Sequence, residues 1–479
     1  MRIEDIIDFC KTYFLKNLDK RYVSISYGLP SPIRLDKDEE GNFEDKKYQV
    51  YLNSVNKGKG HVIIRLDVDL EYNEEIIPEY VNLDNFSIPT YIIKTQRFSR
   101  TCTDVFFDQT PPLNRNTFRP ILGGISVSNF DSQQVIGGYY GTLGCLALDN
   151  DTSPPSVVSL SNNHVYSHDM LIAGSRNPNL VYTDHYDDDI VQSSSTSESG
   201  GDGSEIGKFK KSWRLRPWTY PQFENLNPGD IAVSTLYTTD PSGEPIIYSG
   251  TQGSDIGENN SWYQLNLFDG PENDINFNVN ESPLKWAQSF EINNLMSVNL
   301  DGTITIENRL YTTGARMGPW GVSNVHTDFG DSLLVPIEIG AQVGIPYISQ
   351  GSETVGSICN IENCVLFKST DDPINYESTC IPASLQGNSG SAIVAEFNGE
   401  YKIVGILFAG ETSGLYGVFC RIDEVASALN LSPFTSETTE FMISNVNQTE
   451  IIDLPEPFSN EQYLEVDGKK YWQTGIIQY

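Results

Sequence analysis

The chain has 479 residues, with 31 Lys+Arg against 64 Asp+Glu and a formal net charge of −33. A field of that sign repels nucleic acid and anionic membrane surfaces, and no apolar run reaches the ~20 residues a membrane helix needs, so neither partner is expected. The length allows two or three domains, each with its own core, and the seven cysteines, scattered without a C-x-x-C pair, read as reduced core thiols of a cytoplasmic protein.

At the start of the chain Ile3, Ile6, Ile7, Cys10, Phe14 and Leu18 recur at helical spacing, with Glu4, Asp5 and Asp8 on the other side. The pattern predicts an amphipathic helix packed on its own domain and does not resemble a signal peptide. Strand-like runs follow at 22–27 and 61–69, separated by a charged loop at 36–47. Alternation in the second run predicts a strand buried on one face. Residues 1–117 are expected to form an N-terminal α+β accessory module. Bracing the next domain is its expected role; docking substrate and mediating a homo-oligomer stay open.

Residues 118–430 carry many short apolar runs divided by Gly, Pro, Asn and Asp turns, as antiparallel barrels require. The run Val157-Val158-Ser159-Leu160 ends in Ser161-Asn162-Asn163-His164-Val165. His164 is the histidine among five that a barrel strand would hold rigidly, and imidazole is the side chain suited to general-base work near neutral pH. The bland alternative is a polar residue satisfied by a neighbour.

An insertion near 184–204 holds Asp187-Asp188-Asp189 and a Ser/Gly-rich stretch. His185 with those aspartates offers metal-ligand chemistry, but a solvated acidic loop is the simpler reading, and no metal is expected. Next, Asn227-Pro228-Gly229-Asp230 delivers a carboxylate at the start of the apolar run Ile231-Ala232-Val233. A half-buried carboxylate needs a partner such as a histidine N–H; a solvated turn aspartate is the alternative. The polar insertion at 240–294 reads as a lid or partner surface, and Asp301-Gly302 as a hairpin turn.

Gln386-Gly387-Asn388-Ser389-Gly390-Ser391 sets a serine in a tight turn, and Ala392-Ile393-Val394 reads as the buried strand that follows. Glycines beside a serine let successive N–H groups aim at one point, although these are also ordinary loop residues. Asn398-Gly399 predicts a type I′ hairpin before the run 401–408. The extension 431–479 starts polar and ends in Leu454, Phe458, Tyr463, Tyr471, Trp472 and Tyr479, the composition of a terminal strand or strap.

Asn162-Asn163-His164-Val165, Asp230-Ile231-Ala232 and Gly387-Asn388-Ser389-Gly390 together resemble the trypsin/chymotrypsin-like serine peptidases, which carry His, Asp and Ser in that chain order. Val165 after the histidine and Asn388 before the serine look like heat-shock-type and intracellular bacterial members. Asn388 stands where many secreted members use an aspartate to capture a freshly cut N-terminus, which argues against activation by that route. The resemblance to intracellular bacterial trypsin-like proteins and the plant narrow-leaf peptidases runs further. It extends through Leu160 to Val165, Arg119-Pro120 with Gly123-Gly124-Ile125-Ser126, Gly141-Thr142-Leu143-Gly144, Val404 to Gly410, and Ile422-Asp423-Glu424-Val425.

The resemblance implies a mainly β fold: a chymotrypsin-like double antiparallel β-barrel with an N-terminal α+β module and a C-terminal extension. It implies a serine endopeptidase that needs no cofactor and cuts a protein or peptide substrate. Ser389 would attack, His164 would take its proton, Asp230 would orient the imidazole, and the Gly387 and Ser389 N–H groups would form the oxyanion hole. Ala383 would floor the substrate pocket, with Phe408, Ala409 and Gly410 as walls, which suits an apolar side chain. Two other classes remain: a latent or inactive peptidase-fold scaffold that works by protein binding, and a hydrolase of non-peptide substrates. A homo-oligomer or a regulatory protein partner is compatible with each.

Overall fold

The computed structural model describes residues 2–14, 23–29, 59–67, 77–84, 86–95, 123–130, 141–166, 188–192, 204–213, 227–244, 285–308, 310–312, 315–318, 321–324, 333–348, 355–370, 387–410, 416–435, 463–466 and 469–472, with single positions 117, 119, 121, 246 and 384. The chain is mainly β: an 8-stranded sheet, an 11-stranded sheet and 2-stranded ribbons.

Both large sheets close on themselves. In the smaller, Cys145–Asp149 pairs with Ser156–Ser161, then Ala232–Thr235, Ser204–Ser212, Asp189–Gln192 and Ser126–Asn129 follow in turn. Ser126–Asn129 pairs with Gly141–Thr142, just ahead of Cys145, so one bent segment passes its hydrogen bonds from one neighbour to the other. At the bend the Leu143 and Gly144 N–H groups donate to the Ile125 and Leu160 carbonyls, each at 2.9 Å. In the larger sheet the ring runs Leu310–Thr312, Ala392–Phe397, Glu400–Gly410, Tyr416–Arg421, Val355–Thr370 and Leu333–Ile348, and Leu334 returns to Leu310. Every pairing in the two rings is antiparallel. This is the double barrel expected from the sequence.

The period-two alternation of strands decides how the barrels meet. Leu146, Leu148, Val157 and Ala232 belong to the smaller barrel's own core. Their alternates Cys145, Ala147, Val158, Leu160, Ile231 and Val233 join the core that continues into the larger barrel. Strands Cys145–Asp149 and Ser156–Ser161 are therefore buried throughout, and their ends emerge at the junction.

The helix Ile3–Phe14 forms as the spacing predicts, burying Ile3, Ile6, Ile7 and Cys10 and exposing Asp5 and Asp8; Leu18 lies outside the described residues. Strand Val23–Gly28 pairs with His61–Asp67 on one side and joins Leu333–Ile348 through Tyr27↔Ile339 on the other. The N-terminal strands thus extend the sheet of the larger barrel. His61–Asp67 departs from the half-buried expectation: His61, Val62, Ile63 and Ile64 are all buried. It is an interior strand, flanked by Val23–Gly28 and by a parallel neighbour, Phe86–Thr95.

Asn398 and Gly399 adopt φ of 54° and 83°, the left-handed pair a type I′ turn requires, and Phe397 pairs with Glu400. The ribbon Met296–Val298 with Ile304–Ile306 encloses Asp301-Gly302 as expected. After the helix Ile422–Leu429, Leu431–Pro433 crosses to pair with Cys145–Asp149 of the smaller barrel. Tyr463–Val466 and Lys469–Trp472 form a separate ribbon. Among the described residues no helix is long and apolar enough to cross a membrane. The expected loop at 36–47, the Ser/Gly-rich stretch after Gln192, and most of 240–294 lie outside the described residues.

Candidate active site

His164 lies in the single helical turn Asn163–Tyr166, entered directly from strand Ser156–Ser161. The Val165 and Tyr166 N–H groups both donate to the Asn162 carbonyl at 3.1 Å, which winds the turn. Tyr166 is fully buried, and its hydroxyl meets the Ser159 hydroxyl at 2.8 Å. The imidazole is therefore carried on a fixed piece of backbone and is 4% exposed.

Asp230 enters from the turn ahead of strand Ala232–Thr235 and is 0% exposed. The larger barrel holds this turn: the Asn227 carbonyl accepts from the Glu362 N–H at 2.9 Å, and Gly229 packs against Cys420. From the smaller barrel the Asn162 Nδ2 donates to the Asp230 carbonyl at 2.7 Å. Burial pushes the Cys420 thiol well above its ordinary range, and the Asp230 carboxylate adds to the effect, so Cys420 backs the aspartate as a neutral group.

The two side chains meet with Nδ1 of His164 2.5 Å from Oδ2 of Asp230. The His164 main-chain N–H donates to Oδ1 of the same carboxylate at 3.3 Å. An ionised carboxylate only accepts, so the proton between the two is carried on Nδ1. Nε2 is buried and makes no hydrogen bond among the described residues.

Ser389, 4% exposed, lies in the turn Gly387–Gly390, where the two glycines take φ of 94° and 95°. The turn is clasped from both barrels. Thr142 N–H donates to the Ser389 carbonyl and Thr142 Oγ1 to the Gly387 carbonyl, each at 2.8 Å, while the Gly390 N–H donates to the Leu407 carbonyl at 2.8 Å. The Ser391 N–H and hydroxyl both donate to the Asn388 carbonyl, at 2.9 and 2.6 Å. Gly390 allows this approach: a Cβ there would stand 2.1 Å from the Thr142 carbonyl oxygen and 2.2 Å from Ser161 Oγ.

The histidine segment and the serine turn converge over Gly141. A Cβ at Gly141 would lie 2.3 Å from a Val165 methyl and 2.8 Å from the Ser389 carbonyl oxygen. All three sequence-predicted segments thus reach one junction between the barrels. The Gly387 and Ser389 N–H groups donate to no protein acceptor among the described residues. Phe408, Ala409 and Gly410 are buried at the end of their strand, with Ala409 opposite Val418 and Gly410 opposite Gly417. Ser384 Oγ donates to the Tyr416 carbonyl at 2.9 Å, which ties the approach to Ser389 to the neighbouring strand Tyr416–Arg421. Ala383 lies outside the described residues, as do His168, Asp184, His185, Asp187 and His326.

Sequence reasoning did not single out Thr142, Cys420 or the side chain of Asn162 as parts of this junction. Thr142 and Gly387 are 245 residues apart, and no local pattern encodes such a contact.

No family model and no curated protein matches the chain. Among solved structures it is similar to a glutamic-acid-specific serine protease described as using a histidine triad in substrate binding, at 11% identity over 65% of this chain and 100% of that one, with a TM-score of 0.28. A protease from M. tuberculosis in its active form is similar at 11% identity over 67% of this chain and 85% of that one, TM-score 0.29. A Cellulomonas bogoriensis chymotrypsin is similar at 10% identity over 65% of this chain and 97% of that one, TM-score 0.29.

Proposed function

We propose that the protein is a serine endopeptidase that hydrolyses peptide bonds of a protein substrate through an acyl-enzyme. The observation that carries the reading is the buried His164–Asp230 pair at 2.5 Å, on the same junction as the Ser389 turn. Ser389 Oγ attacks the carbonyl carbon as His164 Nε2 takes its proton, and Asp230 stabilises the resulting imidazolium. The Gly387 and Ser389 N–H groups receive the oxyanion; losing one such donor costs about 3 kcal/mol of transition-state stabilisation. The protonated imidazole then gives its proton to the leaving amine, and water releases the acyl group by the reverse steps. Phe408, Ala409 and Gly410, with Ala383, form the pocket for an apolar side chain of the substrate.

The reading assigns residues 1–117 to an accessory module, 118–430 to the peptidase and 431–479 to an extension. It also assigns a reducing, cytoplasmic setting, supported by the free buried thiols of Cys10, Cys145, Cys364 and Cys420. One observation favours the second reading, a latent peptidase-fold scaffold: among the described residues His164 Nε2 has no hydrogen-bond partner, Ser389 included. Fluorophosphonate labelling separates the two. The wild type is expected to label and Ser389→Ala not to; a folded wild type that stays unlabelled favours the scaffold, and labelling that survives Ser389→Ala removes Ser389 from the mechanism.

A further inference from the structure

We infer that Asn162 is the positioning residue of Asp230, holding that main chain so that the carboxylate faces both the side-chain and main-chain nitrogens of His164. The inference deepens the peptidase reading and rests on it for its catalytic consequence.

The barrel ladder between Ser156–Ser161 and Ala232–Thr235 ends at the pair Ser161↔Ala232. Beyond it one strand winds into the His164 turn and the other comes from the Asp230 turn, so the two need a link that regular pairing no longer supplies. Asn162 provides it. Its carbonyl accepts from the Val165 and Tyr166 N–H groups at 3.1 Å, and its Nδ2 donates to the Asp230 carbonyl at 2.7 Å. One residue thereby grips both segments, two positions from the imidazole.

The amide orientation follows from chemistry: facing a carbonyl oxygen, NH2 attracts and the amide oxygen repels. The remaining atom, Oδ1, is buried and has no hydrogen-bond partner among the described residues, and Asn162 is 0% exposed. An orphaned buried acceptor is unfavourable for the fold.

The test uses the full chain with Asn162→Ala and Asn162→Ser, both shorn of the amide donor. Three quantities are read: the far-downfield Nδ1–H proton resonance of His164, the rate of fluorophosphonate labelling at Ser389, and kcat against KM on a peptide substrate. The expected result is an upfield move of the resonance and a fall in labelling rate and kcat of about 10- to 100-fold, with KM unchanged. An unmoved resonance with wild-type labelling in either folded variant overturns the inference. A wild type that never labels defeats the peptidase reading, yet the resonance still decides the role of Asn162: moved supports it, unmoved overturns it. Should neither variant fold, scalar coupling from Asn162 Nδ2 to the Asp230 carbonyl carbon in the unmodified protein decides, since its absence overturns the link.

Discussion

Asp230 meets His164 through both of its oxygens, Oδ2 at 2.5 Å from the ring Nδ1 and Oδ1 at 3.3 Å from the main-chain nitrogen. The carboxylate therefore fixes the ring's tautomer and its orientation together. Asp230→Asn keeps the shape, but with its NH2 toward Nδ1 it donates where the carboxylate accepted, so the imidazole is left in the wrong tautomer. We expect a folded protein whose kcat on a peptide substrate falls by about 10⁴-fold, by analogy with the equivalent change in a well-studied triad. Unchanged turnover would remove Asp230 from the mechanism and direct attention to Asp184 or Asp187.

Gly390 is held where two barrels close on it, with positive φ and with Thr142 and Ser161 in the space a side chain would need. In Gly390→Ala the new methyl meets backbone oxygen, which cannot swing aside. Strain at that φ and the forced displacement together are expected to cost about 2–5 kcal/mol in urea unfolding. Because the displaced atoms carry the Ser389 turn, labelling at Ser389 should fall as well. A variant as stable and as reactive as the wild type would mean that the clasp between Thr142 and the turn is loose.

What could be read in the sequence is what is local. Ile3, Ile6, Ile7 and Cys10 report their helix because they share one face, and Asn398-Gly399 reports its turn because both residues tolerate left-handed φ. His164, Asp230 and Ser389 stand out by residue type and by the apolar runs beside them. The convergence of the segments that carry them is different in kind. It depends on the bent segment 141–149, which closes the smaller barrel and presents Gly141 and Thr142 to the serine turn of the other. Ring closure is a property of long-range register, so Thr142 and the amide of Asn162 carry no local signature. The burial of His61, Val62, Ile63 and Ile64 was illegible for the same reason, since the strands on either side come from elsewhere in the chain.

Lys211 anchors the crossing of the C-terminal helix from one barrel to the other. Its ammonium is buried and donates to Asp149 Oδ1 at 2.6 Å, Asp151 Oδ2 at 2.5 Å and the Leu429 carbonyl at 2.8 Å. Lys211→Met fills the space but leaves Asp149 buried with only the Lys210 ammonium, 2.6 Å away, as counter-charge. Breaking a buried pair from one side is expected to cost about 3 kcal/mol in equilibrium unfolding. The partner change Asp149→Asn removes the charge that both ammonium groups share, leaving Lys211 with Asp151 and the Leu429 carbonyl, and should cost a comparable amount. A loss within experimental error for Lys211→Met would show that Lys210 alone neutralises Asp149 and that the helix end needs no clamp.

His61 supplies a pH dependence separate from the His164–Asp230 pair. It is 2% exposed, its Nδ1–H donates to the Lys59 carbonyl at 3.0 Å, and its ring stands edge-on to Tyr91. Burial pulls its pKa down from 6.5 to about 4, with the nearby Lys59 charge adding to the drop and the bond to the Lys59 carbonyl opposing it. Between those two values the unfolded chain binds the proton and the folded chain does not, so stability rises with pH through that window and falls as the solution is acidified. From pH 7 to pH 5 this one group should remove about 2 kcal/mol of unfolding free energy. His61→Gln retains a donor for the Lys59 carbonyl and lacks the titration. Carboxylate protonation affects both proteins alike, so the difference between their losses isolates the histidine. Urea unfolding at the two pH values is the measurement, and equal losses in wild type and variant would mean that His61 accepts its proton without leaving the core.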